Sequence, residues 1–392
     1  NRARRAGESG VSYNSVYSKF DPDNNKNTIS FIGNPSLAEV KTIMIGIRNK
    51  SNDLKSGEVW VNELRMTDFD EDGGWAANGN LNIALSDLGT FNASGRIETA
   101  GFGGLDQSLS ERSMDDYSQY AISASVQLGK FFPEKARVNL PVYYAYSKET
   151  TSPKYNPLDQ DILLKDELDA ATTKAEKDSI KSFSQDQTTI KSLAINNVNI
   201  GIKSKNPMPY DPATFTFSYA SSDNKRTNPE TVYETTKIHQ GSITYKYTTY
   251  AKPFVPFKKL EKSNSYTRYI KQLSFNYLPS SISFQTSMTR NYYETQLRDL
   301  SNINSGATNP IGASFSEAFY WDRGFSIRWN PLNTLNLEFS SNTNARIETP
   351  HVQVNKKLEP DSFKVWKYAV LESIRNLGTP LAYDQTVNIT YN

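Results

Sequence analysis

Asp68, Asp70 and Asp72, with Gly73 immediately after, form the one run in this chain whose types and spacing match a ligand geometry. Asp-x-Asp-x-Asp-Gly sets three carboxylates around a calcium ion and uses the glycine for the sharp turn. The twelfth position is Gly79, where such a loop needs a bidentate Glu, so the expectation is a solvated acidic hinge. Asp21-Pro22-Asp23-Asn24-Asn25-Lys26 has Lys where the turn glycine belongs and reads as an ordinary turn. His239 and His351 belong to no ligand pair at i, i+4, and with no Cys the chain has no thiol nucleophile and no Cys-ligated metal. G-x-S-x-G and the P-loop pattern are absent, and Gly101-Phe102-Gly103-Gly104-Leu105-Asp106 fails the dinucleotide fingerprint at its last position. No pair of carboxylates is placed in a cleft by sequence. The expectation is a protein that is not an enzyme, with no cofactor and no resident metal.

Charge names no partner either: 44 Lys and Arg stand against 42 Asp and Glu, so a nucleic-acid binder is not indicated. The hydrophobic share of 37% is low for a chain with a large core, yet 23 Tyr and 19 Phe are present. No apolar run reaches the ~18 residues of a spanning helix, and no secretory signal pattern follows the arginines of residues 1 to 5.

Strict alternation of apolar and polar residues reconciles these facts, because it gives strands with two unlike faces. About twelve such runs occur from residue 78 on, including 80–86, 91–98, 120–128, 138–146, 197–203, 214–219, 243–247, 273–277, 282–288, 325–329, 335–339 and 387–391. Many approach the ~9 to 11 residues that a tilted strand needs to cross a bilayer. Short turns alternate with long polar segments near 98–117, 147–193, 220–238, 292–315 and 341–383, and aromatic residues crowd the strand ends. The pattern predicts a transmembrane β-barrel, with a soluble β-protein as the other reading. Leu81, Ile83, Leu85, Val126, Leu140, Ile200, Phe217 and Leu337 are the lipid-facing candidates. Asn82, Arg96, Glu98, Lys203, Arg328 and Glu338 are the lumen-facing ones, of both charge signs. Pro141 cannot donate to a ladder and predicts a bulge, or else a lateral opening. The strand parity across 250–268 stays open.

Residues 1–75 read differently. Lys41–Ile47 and Glu58–Met66 are expected strands, the end of a soluble β-sandwich and a hinge, with 76–392 as barrel strands and long loops. Two helices interrupt the loops: a weak face of Leu164, Leu168, Ala171 and Ala175, and a stronger stripe of Phe363, Trp366, Val370, Ile374 and Leu377 ended by Gly378 as a C′ residue. The stripe is expected to pack on the wall or a neighbouring loop, with a partner-binding role as the alternative.

The segment from Gly57 to Asp70, followed by Gly73-Gly74-Trp75-Ala76-Ala77, resembles the SprA/Sov family of the Bacteroidetes type IX secretion system. Pro256-Phe257-Lys258-Lys259, Leu278–Phe284, Asn344–Ile347 and Ser373–Gly378 are further similar points, in order along the chain. The resemblance implies an internal portion of a much longer protein, within a very large single-chain barrel in the outer membrane of a Gram-negative bacterium. It also implies a translocon that exports folded proteins and serves gliding motility. Its partners would be secreted cargo with a C-terminal signal, a plug protein, an outer-membrane shuttle of lipid-transporter-like fold, and periplasmic and inner-membrane components. A smaller porin or nutrient transporter, or a soluble surface adhesin, are the rival functions.

Overall fold

The computed structural model describes residues 15–21, 24–32, 40–63, 65, 72–108, 111–157, 159–202, 204–205, 207–249, 252–257, 273–299, 311–354 and 359–391. The chain divides into two compact units: 1–75, 99–116 and 152–184 form one, and 76–98, 117–151 and 185–392 the other.

In the first unit, β1 (Tyr17–Phe20) and β2 (Thr28–Phe31) form a short antiparallel hairpin. Residues 41–47 and 58–63, expected as strands, make no ladder among the described residues and are exposed throughout. Their apolar alternation fits an extended chain, but a strand also needs a partner backbone, and none lies beside them here. No second sheet of a sandwich occurs among the described residues of this unit. The unit also holds the 99–116 loop, where Thr99 Oγ1 accepts from the Trp75 N–H at 2.8 Å and Asp116 Oδ1 from the Ala100 N–H at 2.9 Å.

The second unit carries most of the main antiparallel sheet. Its strands are β3 (Ala76–Ala84), β4 (Gly89–Glu98), β5 (Asp115–Gln127), the two-residue β6 (Val138–Asn139) and β7 (Pro141–Pro153). In the first unit β8 (Tyr155–Asn156) and β9 (Asp159–Leu163) pair with each other and lead into helices α1 (Leu164–Ala170) and α2 (Lys174–Ser184). The break between these helices is a capping box: the Glu176 N–H donates to Thr173 Oγ1 at 3.2 Å, and the Thr173 N–H to Glu176 Oε2 at 3.1 Å. The sheet resumes with β10 (Asp186–Ile200), β11 (Phe215–Thr227), β12 (Thr231–Thr248), β13 (Ser281–Leu297), β14 (Ser314–Leu332) and β15 (Leu335–Arg346). Helix α3 (Pro360–Arg375) precedes β16 (Thr379–Tyr391).

Strand order follows chain order from β3 to β16, with β6 pairing β10 off the path. All pairings among the described residues are antiparallel, and β3 and β16 are free edges there. Eleven of the expected strands are present. The twelfth, 273–277, is not one: Phe275 makes only isolated bridges to Phe254 and Leu332. β12 pairs directly with β13, so no strand lies between them in the sheet and the two follow each other as in a simple meander.

The strands are longer than their alternation suggests. The expected loop 220–238 is mostly strand, with β11 and β12 joined through Asn228-Pro229-Glu230, and β14 runs for 19 residues. The far ends of these strands are polar on both faces, which erases the period-2 signal while leaving the backbone ladder intact.

The proline prediction is met by a bulge. Pro141 opens β7 just after the two-residue β6, opposite a register shift in β10 between Ile195 and Val198. Asn197 adopts φ 55° there, its N–H donates to Ser218 Oγ at 2.9 Å, and its carbonyl accepts from Asn139 Nδ2 at 2.8 Å. The β7–β10 ladder continues unbroken from Val142 to Thr151, so no lateral opening lies at this proline.

Candidate functional surface: a sheet with two unlike faces

Directly paired residues share a face, so the registers assign strand residues to one of two sides within β3–β5 and within β7–β16, and the contact of the Tyr120 and Tyr146 rings at 5.9 Å joins the two sets. One side, face A, carries Leu81 and Ile83, then Phe91, Ala93 and Ile97, and then Tyr120, Ile122 and Val126 on β3 to β5. It continues through Val142 and Tyr144, Leu193 and Ile195, Phe217 and Tyr219, Ile243 and Tyr245, and Ile282 and Phe284 on β7 to β13. It ends with Phe325 and Ile327, Leu337 and Phe339, and Val387 and Ile389 on β14 to β16. The β10 bulge keeps Val198 and Ile200 on this face despite their change of parity. Leu85, opposite Gly89 at the turn, follows the same side, as does Leu140 at the break between β6 and β7. The lipid-facing candidates therefore all fall on face A.

Face B carries Asn82, Asn92, Arg96, Glu98, Ser123, Ser192, Ser218, Ser242, Ser283, Arg328 and Glu338, with Ile190 and Ile238 as apolar exceptions. Five of the six lumen-facing candidates lie here, and Lys203 lies outside the described residues. The charges pair within the face: Arg96 with Glu98, Arg226 with Asp186 at 2.5 Å, and Arg328 with Glu338 directly opposite at 3.0 Å. Of the calcium candidates, Asp68 and Asp70 lie outside the described residues and Asp72 is exposed; no metal-binding group of side chains occurs among the described residues.

Among the described residues face A has no second layer upon most of its extent, and Leu81, Ile122, Phe217, Ile243 and Ile389 are all exposed. An apolar patch of this extent on a folded chain marks a surface for other apolar matter. The border where face A turns polar is informative. On β7 it falls between Tyr146 and Lys148, on β10 between Leu193 and Lys191, on β14 between Phe325 and Arg323, beyond which Trp321 and Phe319 are again aromatic, and on β15 between Phe339 and Ser341. Followed along the ladder from β7 to β15, the border slides by about ten residues, ~34 Å, across six strand spacings, ~29 Å. It therefore crosses the strands on a slant of about 50°, close to the ~35 to 45° tilt of strands in membrane barrels.

Above the border on β13 and β14, helix α3 lies on face A, as its apolar stripe predicts. The indole Nε1–H of Trp366 donates to Glu317 Oε2 at 2.9 Å. Arg290 pairs with Glu317 at 2.5 Å, and its guanidinium stands 4.6 Å from the Trp366 ring centroid. Beside it Glu294 accepts from the hydroxyls of Tyr233 at 2.6 Å and Tyr292 at 2.8 Å and from Gln353 Nε2 at 2.5 Å. Ile347 and Val370 are buried in the same region. The helix ends differently from expectation: Leu377 is the left-handed C′ residue at φ 62°, and Gly378 follows as C″, its N–H donating to Ser373 O at 2.8 Å. Of this cluster sequence reasoning found Trp366 and Val370. Arg290, Tyr292, Glu294 and Glu317 sit in the strand tops where alternation gives no signal. The two histidines are packed against rings: Tyr219 shares a hydrogen bond with His239 Nδ1 at 3.0 Å, and His351 stacks on Phe315 at 4.4 Å.

No curated protein matches the chain. Residues 1–168, which run from the first unit through β3, β4, β5 and β7 of the sheet, match the family model SprA_N, described as motility related/secretion protein. Through that segment the chain is similar to this family of motility- and secretion-related proteins.

Proposed function

We propose that the sheet is a stretch of the wall of a protein-conducting outer-membrane channel, the translocon of the type IX secretion system. Face A meets lipid and face B lines an aqueous path for folded cargo. The slanted border on face A carries this reading. A horizontal membrane surface drawn on strands tilted by ~45° runs obliquely across their ladder, whereas a soluble sheet covered by a second layer has no reason to keep such a line. Eleven consecutive strands with two free edges exceed the ~8 strands whose barrel interior side chains can fill, so a closed wall incorporating them surrounds a wide lumen.

In this role the chain performs no chemistry and needs no cofactor. Face B supplies Asn, Ser and Thr together with internally paired charges, a wetted surface with little attraction for a cargo of either sign. Its partners in this reading are cargo bearing a C-terminal signal, a plug, an outer-membrane shuttle, and periplasmic and inner-membrane components that supply energy.

The absence of native Cys makes the faces directly testable. Single Cys at Ser242 or Asn82 should react with a water-soluble maleimide in native membranes, and Cys at Ile243 or Ile83 should react only after detergent extraction. Equal reactivity of both sets in membranes removes the proposal. Conductance of the unplugged protein in planar bilayers, with passage of a folded cargo, separates a translocon from a solute porin.

A further inference from the structure

Lysines are distributed unevenly on the sheet. Of the five in the described strands β3 to β16, Lys148, Lys191, Lys225 and Lys237 lie on face A and only Lys246 on face B. All four face-A lysines stand just beyond the apolar border, on the adjacent strands β7, β10, β11 and β12. None of them is held in an ion pair among the described residues. Lys191, Lys225 and Lys237 line one groove of about 560 Å³, floored by Thr189 and Thr235 and walled by Tyr233. The single free carboxylate among these lysines is Asp223, opposite both Lys191 and Lys237 in the ladder; Glu294 at the groove's edge is already taken up by two tyrosine hydroxyls and Gln353. A concave, net-positive site has thus been placed where the hydrocarbon-facing surface stops.

We propose that this groove seats the phosphate of an anionic lipid whose chains lie along the apolar part of face A. The inference deepens the wall reading and rests on face A being the lipid side. Ammonium groups are compact point charges that bind phosphate without demanding a fixed fork geometry, and Lys191, Lys225 and Lys237 bring three of them to one groove from neighbouring strands. Charge complementarity with chain continuity favours a lipid over a free anion. A free phosphate would gain the charges but not the apolar floor that begins one residue pair below Lys191, at Leu193. The four lysines are carried by four different strands, so a bound headgroup would also tie β10, β11 and β12 together at this level.

The test uses the protein purified in detergent and read by native mass spectrometry against phosphatidylglycerol and phosphatidylcholine. Retention of phosphatidylglycerol should exceed that of phosphatidylcholine. It should fall by about a hundredfold in K191Q/K225Q/K237Q, given that each basic residue near an anionic surface contributes roughly fivefold. K191R/K225R/K237R should keep it, and K246Q on the opposite face should leave it unchanged. Equal retention of the two lipids, or an unaltered preference in the triple Gln protein, overturns the proposal. Full displacement of the lipid by excess inorganic phosphate also overturns it, in favour of a site for the free anion. A separate arm in nanodiscs with brominated acyl chains reports on the underlying reading: quenching of tryptophan fluorescence, with Trp329 on face A, shows contact with chains whatever the headgroup. Loss of headgroup preference with quenching intact rejects the groove alone, and loss of quenching rejects the lipid-facing assignment itself.

Discussion

Replacing Glu317 by Gln tests what holds helix α3 to the sheet. The Glu317 side chain is 7% exposed and that of Arg290 17%, so water screens this pair little. Gln keeps an acceptor for the Trp366 indole but leaves the Arg290 guanidinium without its counter-charge against the Trp366 and Tyr292 rings. Removing one partner of a buried pair costs about 3 to 5 kcal/mol. The residual exposure of Arg290 and its ring contacts place this case near the low end, ~3 kcal/mol. That corresponds to roughly a 150-fold rise in the population with α3 undocked, at ~1.4 kcal/mol per tenfold. Hydrogen exchange followed on peptides covering 360–375 should show protection falling by about two orders of magnitude, with little change in β15. Arg290→Met in the same chain as Glu317→Gln leaves neither charge and should recover most of that loss. If protection in the single variant stays within about twofold of the parent, the ion pair does not anchor the helix and the packing of Val370 and Ile347 alone must do so.

With face A in lipid as proposed, Ile243→Arg should destabilise the sheet by up to ~2 to 4 kcal/mol, while Ser242→Arg, one residue away on face B, should be mild; the heat at which the band shifts on a semi-native gel measures both. Gly378→Ala should loosen the junction between α3 and β16. Its φ is +69° and a Cβ there would stand 2.8 Å from the Arg346 carbonyl oxygen, so a loss of about 1 to 2 kcal/mol or more is expected in thermal unfolding. In the β10–β11 connection, Asp211 accepts from the Ser204 hydroxyl at 2.6 Å and from the Met208 N–H at 3.0 Å, which hold its carboxyl below the usual 3.8. The folded value being the lower one, the turn's contribution is complete above the unfolded value and is lost as pH falls through the folded one. Proteolysis near 204–214 should therefore rise on acidification below about pH 4, and Asp211→Asn should abolish that pH dependence.

How far the sequence reveals this molecule depends on the solvent each residue meets. Where one flank of a strand is apolar and the other polar, as along Leu335, Leu337 and Phe339, alternation identifies both the strand and its faces. Past the border, Gln187 to Thr189 and Asp223 to Thr227 are polar on both flanks, and the same ladder continues without a periodic trace. The reverse failure occurs at Lys41–Ile47 and Leu273–Tyr277, which alternate well but have no continuous partner here; pattern describes what a segment can bury, and pairing requires a neighbour. The lysine groove was illegible for a related reason. Its lysines come from three strands, and only register shows that Lys191, Asp223 and Lys237 stand side by side. Helix α3 was legible as a stripe, yet its anchors on β13 and β14 lie in the polar tops.

The irregularity at Ile195–Val198 sets where this sheet can change in length. Along an ordinary stretch such as Thr236–Tyr245, losing one residue would turn every side chain beyond it to the opposite flank, bringing apolar groups onto face B and serines onto face A. At Asn197 the surplus residue is already looped out, so its deletion would restore plain pairing with orientation preserved on both sides. Natural variants of this strand should accordingly tolerate a one-residue gap at that spot and nowhere else along it.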